Sequence, residues 1–156
     1  MIQIDILKSR NISDGHALME VMHVLNQVLY SDEFKKIFFS EPPTSGLKGM
    51  TLQEIYDRLT PGKDLGDGTT DDTIWIYRYS SWKWFSKVVG YWSGGNVIYA
   101  NAKFWNQRGR VSDASFILHE YSHRAGFSHR SATDYTSVPY SLNRIFAKAA
   151  KNMGIE

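Results

Sequence analysis

The sequence predicts an α+β domain, and three observations carry that reading. Apolar residues recur at three- and four-residue spacing in several stretches, the period of a helix with one buried face. Shorter runs rich in Ile, Val, Trp and Tyr alternate in hydropathy or flank a Gly-Gly pair, as strands and hairpins do. The two kinds of segment follow the order strand, long helix, short helix, strand, hairpin, buried helix, loop, terminal helix. That order is not a βαβ repeat, so helices are expected against one small, mixed, twisted sheet.

The elements follow in turn. Met1 to Lys8 alternates like a strand. Ser13 is placed to cap a helix running to about Tyr30, with Leu18, Val21, Met22, Leu25, Val28 and Leu29 as its apolar stripe. Asp32 to Phe39 continues as a short helical segment, and Glu41-Pro42-Pro43 breaks it, because proline disfavours helix in the residue before it. Thr51-Leu52-Gln53-Glu54 has capping-box spacing, and Pro61-Gly62 ends the helix that it opens. Lys63 to Asp72 carries four aspartates without the ligand order of an EF-hand, and reads as a solvated turn. Thr73 to Tyr79 is a strand. Val88 to Ser93 and Asn96 to Ala100 form a hairpin about Gly94-Gly95. Ser112-Asp113 is placed to cap a helix whose apolar residues fall all round the cylinder, a sign of burial. Ser141 is placed to cap the terminal helix, with Leu142, Ile145, Phe146 and Ala149 on one face.

Composition narrows the function. The chain has 156 residues, 42% of them apolar and 22% charged, which suits one domain spanning residues 1–156 and excludes a disordered chain. No apolar run is long enough to span a bilayer, and the opening strand lacks the pattern of an export signal. Neither a membrane partner nor a general export route is expected, and localisation stays open between the cytoplasm and a specialised delivery route. Without cysteine there is no disulfide framework, thiolate metal site or cysteine nucleophile. A net charge of +2 is too mild to imply nucleic acid. The cluster Trp82 to Lys87 reads as a cleft rim or packed loop, and His16 and His23 as surface or packing positions on the first helix.

Chemistry concentrates in His119-Glu120-Tyr121-Ser122-His123 and the Arg124-Ala125-Gly126-Phe127-Ser128-His129 that follows, together H-E-x-x-H-x-x-G-x-x-H. Histidines four apart share one helix face, so both can reach one ion. Glu120 points partly away from that pair and suits a base acting on water at the metal. Gly126 can adopt the left-handed conformation that ends a helix, letting His129 arrive from another direction. Three imidazoles with a fourth position open are the donor set of a catalytic zinc. By residue frequencies alone the full pattern has chance odds on the order of 10⁻⁵.

Over roughly Thr73 to Tyr140 the chain resembles the metzincin clan of zinc endopeptidases. The resemblance implies a zincin-like fold with a long N-terminal helix, a buried active-site helix and a C-terminal helix. It implies zinc held by His119, His123 and His129, with Glu120 as general base. It also implies that the strand Val88 to Ser93 lies antiparallel to the bound peptide, with Tyr91 and Trp92 near the cleft. Metzincins carry a methionine in a tight turn beneath the metal. Here Val138 stands in that place, followed by Pro139, which favours a turn, and by Tyr140, which matches a tyrosine that touches the metal or the oxyanion in some members. Lacking the methionine, the chain is read as a divergent member. A second resemblance, to aspzincins, makes Asp134 the competing third ligand. If His129 ligates, Asp134 is expected to orient one of the histidines.

The function these expectations add up to is a zinc metalloendopeptidase, acting as a monomer on protein or peptide substrates. Two alternatives stand beside it. One is zinc hydrolysis of another amide, such as a peptidoglycan cross-link, by a toxin or phage effector. The other is a non-catalytic interaction module that metal merely stabilises.

Overall fold

The computed structural model describes residues 2–6, 14–60, 72–79, 88–105 and 107–156. Expectations for Ser13, the Pro61-Gly62 stop, most of the aspartate-rich turn and the Trp82 to Lys87 cluster lie outside those residues. Four strands and five helices are described. They are β1 (Ile2–Ile6), α1 (Asp14–Leu29), α2 (Asp32–Ser40), α3 (Leu52–Leu59), β2 (Asp72–Tyr79), β3 (Gly90–Trp92), β4 (Val97–Asn101), α4 (Arg110–Arg124) and α5 (Val138–Asn152). The arrangement is α+β, as expected.

The sheet order is β1-β2-β4-β3. β1 and β4 both run parallel to β2, and β3 is the antiparallel edge strand. Alternation along the strands separates two faces. Ile74, Ile76, Ile98 and Ala100 are buried. Tyr77, Tyr79, Tyr91 and Tyr99 share the other face, with Tyr77 and Tyr91 each 44% exposed. β3 is shorter than the predicted strand, and it lies close against α4. A Cβ at Gly90 would overlap both the Tyr99 carbonyl and the Phe116 ring, so glycine permits the approach.

The predicted stripe of α1 turns inward: Leu18, Val21, Leu25, Val28 and Leu29 are buried. Phe34 and Phe38 of α2 pack with Tyr56 of α3 and Phe146 of α5, Phe34 meeting Phe146 edge-on at 6.4 Å. Each such side chain contributes roughly 1.5–3 kcal/mol on burial. Thr51 and Glu54 form the predicted capping box at the start of α3.

Two helix starts differ from the prediction. α4 begins at Arg110 with Gly109 as its N-cap, so Ser112 and Asp113 lie inside the first turn. Asp113 is 1% exposed, and its carboxylate faces the positive end of the helix dipole and Arg108 at 3.6 Å. α5 begins at Val138 after Ser137, and Ser141 is a buried helical residue. Pro139 fits this first turn because no intrahelical N–H is required there. The Val138-Pro139-Tyr140 stretch, expected as a turn, is therefore the opening of a helix.

From Asp113 to Ser122 every residue of α4 is buried. α4 packs against α1, α5 and β3, which buries His119 and Glu120 and leaves His123 half-buried.

Candidate metal centre

The end of α4 builds the site. Gly126 has φ +98°, as its motif position requires. The Gly126 N–H donates to the His123 carbonyl at 3.0 Å and the Phe127 N–H to the Ser122 carbonyl at 2.9 Å, the paired bonds of a Schellman stop. Phe127 is thereby buried beneath the helix end, and its carbonyl comes within 2.9 Å of His123 Nδ1. That contact places the proton on Nδ1 and leaves the lone pair of His123 Nε2 for a metal ion.

The chain then returns with His129. One ring nitrogen from each of His119, His123 and His129 lies within 4.8 Å of the other two, close enough for one divalent cation to bridge all three. Ring centroids are 5.0–5.5 Å apart. His119 is buried, and the other two are half-buried. Burial drives the His119 pKa down to about 4, with the neighbouring His123 and His129 acting in the same direction. Burial also lowers that of His123. Neutral rings with free lone pairs are the form that a metal takes up. An all-nitrogen donor set of three imidazoles fits a borderline cation with room for further ligands.

Glu120 stands beside the cluster rather than in it. It is 7% exposed, and Oε2 accepts from the Trp92 backbone N–H at 2.9 Å. Burial raises its pKa to about 7, against the lowering effect of that hydrogen bond. Tyr140, on the first turn of α5, packs at 4.9 Å from the His119 ring and 4.8 Å from that of His129. Burial raises its phenol pKa too, helped by Tyr135 and Glu120.

These groups open into a cleft of about 1170 Å³, walled by β3 on one side and by Ser128, His129 and Tyr140 on the other. Tyr91 and Trp92 both border it. The Tyr91 ring, however, stacks on Tyr99 at 5.0 Å, across the sheet face away from the helices. The Trp92 indole N–H donates to the Gly95 carbonyl. What β3 brings to Glu120 is main chain, which side-chain patterning does not reveal.

Asp134 takes no part in the cluster. Its Oδ1 accepts from Ser45 at 3.0 Å and Thr136 at 3.3 Å, and Oδ2 accepts from the Arg130 N–H at 3.3 Å. Its pKa is lowered, chiefly by the Arg130 bond. Instead of ligating or orienting a histidine, Asp134 braces the loop after His129. His23 is exposed on α1, away from the cluster.

Asn143 of α5 escaped the sequence reading. Its side-chain amide lies 3.2 Å from His119 Nδ1, and Ser115 donates to its Oδ1 at 3.0 Å. The available signal was a polar residue in the row Pro139, Asn143, Phe146, Ala150, which is otherwise buried.

Compared with known proteins, the chain matches no family model, no curated protein and no solved structure.

Proposed function

We propose that the protein is a zinc-dependent endopeptidase of the metzincin type, with a zincin-like fold and a valine in place of the clan's methionine. The observation that carries this reading is the convergence of three imidazoles beside a buried carboxyl group in one open cleft. His119, His123 and His129 would hold the ion, the first and second through Nε2. When bound, zinc supplies Lewis acidity that eases both deprotonation of water and polarisation of a carbonyl.

The chain's own residues do the rest. Glu120, fixed by the Trp92 N–H and poised by burial near pH 7, takes the proton of the attacking water and returns it to the leaving amine. Tyr140 turns its phenol toward the developing oxyanion. Tyr91 pairs with Tyr99 of β4, whereas the Trp92 N–H points the other way, to Glu120. Among the described residues β3 is the edge of the sheet, and at Gly90 it borders the cleft, where an extended peptide can add as a further strand.

The test is chelator-sensitive cleavage of unfolded protein by the purified chain, repeated with Glu120→Gln. Cleavage is expected to fall about 10²- to 10⁴-fold while zinc stays bound. Full activity in the variant, or no cleavage by the zinc-loaded parent, overturns the reading.

A further inference from the structure

Resting on the metal reading above, we propose that Asn143, backed by Ser115, is a positioning residue that selects the tautomer of His119 and presents its Nε2 to the cation. The contact falls on Nδ1, so the ligand atom is the other nitrogen. For Nε2 to offer a lone pair, Nδ1 must carry the proton and needs an acceptor.

In the arrangement described, the Asn143 NH₂ faces Nδ1 and its Oδ1 receives the Ser115 hydroxyl. An NH₂ group can donate there only if Nδ1 holds its lone pair, which puts the proton on Nε2 and blocks ligation. Turning the amide over reverses every role, and a cation on Nε2 leaves only that arrangement open, because Nδ1 must then carry the proton. Oδ1 then accepts from Nδ1–H, and the NH₂ donates to the Ser115 oxygen, since a hydroxyl can both give and receive. Ser115 is buried, 8% exposed, and Asn143 is half-buried, so water competes poorly for these bonds. Both residues line the cleft, one helix turn from the reacting groups, without being placed to touch the scissile bond.

The experiment measures zinc affinity by chelator competition for the parent, Asn143→Leu, Asn143→Asp and Ser115→Ala. In parallel, the His119 tautomer is read by nitrogen-15 NMR of the metal-free proteins. Asn143→Leu is expected to weaken zinc about 10- to 100-fold and to shift His119 toward mixed tautomers. Asn143→Asp, which can only accept, should retain affinity close to the parent and fix the proton on Nδ1. Ser115→Ala, which leaves the amide without its anchor, should fall between them. If the parent binds zinc and Asn143→Leu binds it equally well with an unchanged tautomer, the positioning role is overturned. Should Asn143→Leu fail to fold, the Ser115→Ala and Asn143→Asp pair decides alone: equal affinity and equal tautomer ratios in those two count against the proposal. A parent that binds no zinc sinks the metal reading itself, a result distinct from any of these.

Discussion

Two of the three histidines are held by a helix and the third by a loop, and the supports differ in kind. His119 and His123 sit on α4, spaced by its backbone, with each ring met by a partner: Asn143 for one, the Phe127 carbonyl for the other. His129 has no such helical frame. Its loop is pinned by Asp134, by Thr44 and Ser45 N–H groups that both donate to the Thr136 carbonyl, and by Gly46, which passes so near the Ser128 carbonyl that a Cβ would come within 2.9 Å. A helix prealigns two ligands whether or not the metal is present, whereas a loop must be braced from elsewhere in the chain. Removing ligands tests this contrast most strongly. His123→Ala should weaken zinc binding well beyond the about 10- to 100-fold of an outer-shell partner, and His129→Ala by less, because two imidazoles on one helix face remain. Competition titration with a chelator measures both. An equal or greater loss for His129→Ala would break the contrast.

The same difference decided what was readable in the sequence. Helix period, the four-residue spacing of His119 and His123, and the glycine stop at Gly126 are local, and the structure bears them out. The brace on His129 is not local. Ser45 reaches Asp134 across 89 positions, and no pattern near Asp134 distinguishes a loop brace from a ligand. Asn143 was hidden for the same reason, since its partner His119 lies 24 residues away. The two misplaced helix starts arose from competing caps. Ser112 and Ser141 are good capping residues, but Gly109 and Ser137 lie nearer the true ends, and Asp113 and Ser141 proved to be buried inside the first turns.

Next in size is the acid behaviour of the metal-free protein, which probes the helix half alone. His119 titrates at about 4 when folded against an ordinary 6.5. Between those values the unfolded chain binds a proton that the native chain refuses, so stability falls as pH drops through that window. Glu120, at about 7 against an ordinary 4.5, binds its proton more readily when folded, so its contribution falls as pH rises. Each difference corresponds to roughly 3 kcal/mol, and the signs oppose. Burial holds His123 below its ordinary value as well, so two histidines act against one carboxyl group and the parent should lose stability as the pH falls from about 6.5 to 4.5. Glu120→Gln should lose stability on acidification more steeply than the parent, and His119→Gln less steeply. Parallel profiles for the two variants would show that their burial does not act as described.

Gly126 is the joint between the two supports. At φ +98° a side chain is strained even though the space around it is open, the nearest atom to an added Cβ being Arg58 Nη1 at 4.0 Å. Gly126→Ala is expected to destabilise the protein by about 1–2 kcal/mol, and Gly126→Asn by less. The zinc affinity should fall along with the melting temperature, since the Phe127 carbonyl and His129 both depend on this turn. Lost stability with unchanged affinity would separate the helix stop from the site.

The smallest effect belongs to Asp134, and it sharpens the comparison most finely. Its carboxylate joins the Arg130 N–H to Ser45 and Thr136, but the main-chain bonds from Thr44 and Ser45 to the Thr136 carbonyl survive without it. Asp134→Ala should therefore loosen the loop without releasing it, weakening zinc by less than the roughly tenfold of a direct ring partner. Asp134→Asn keeps one accepting oxygen and should lose less still. Were Asp134 a metal ligand, the order would reverse: Asp134→Ala would match His123→Ala, and His129→Ala would be nearly silent. A side-by-side titration of the three alanine variants distinguishes a brace from a donor, because a brace adds only what the backbone bridge leaves undone.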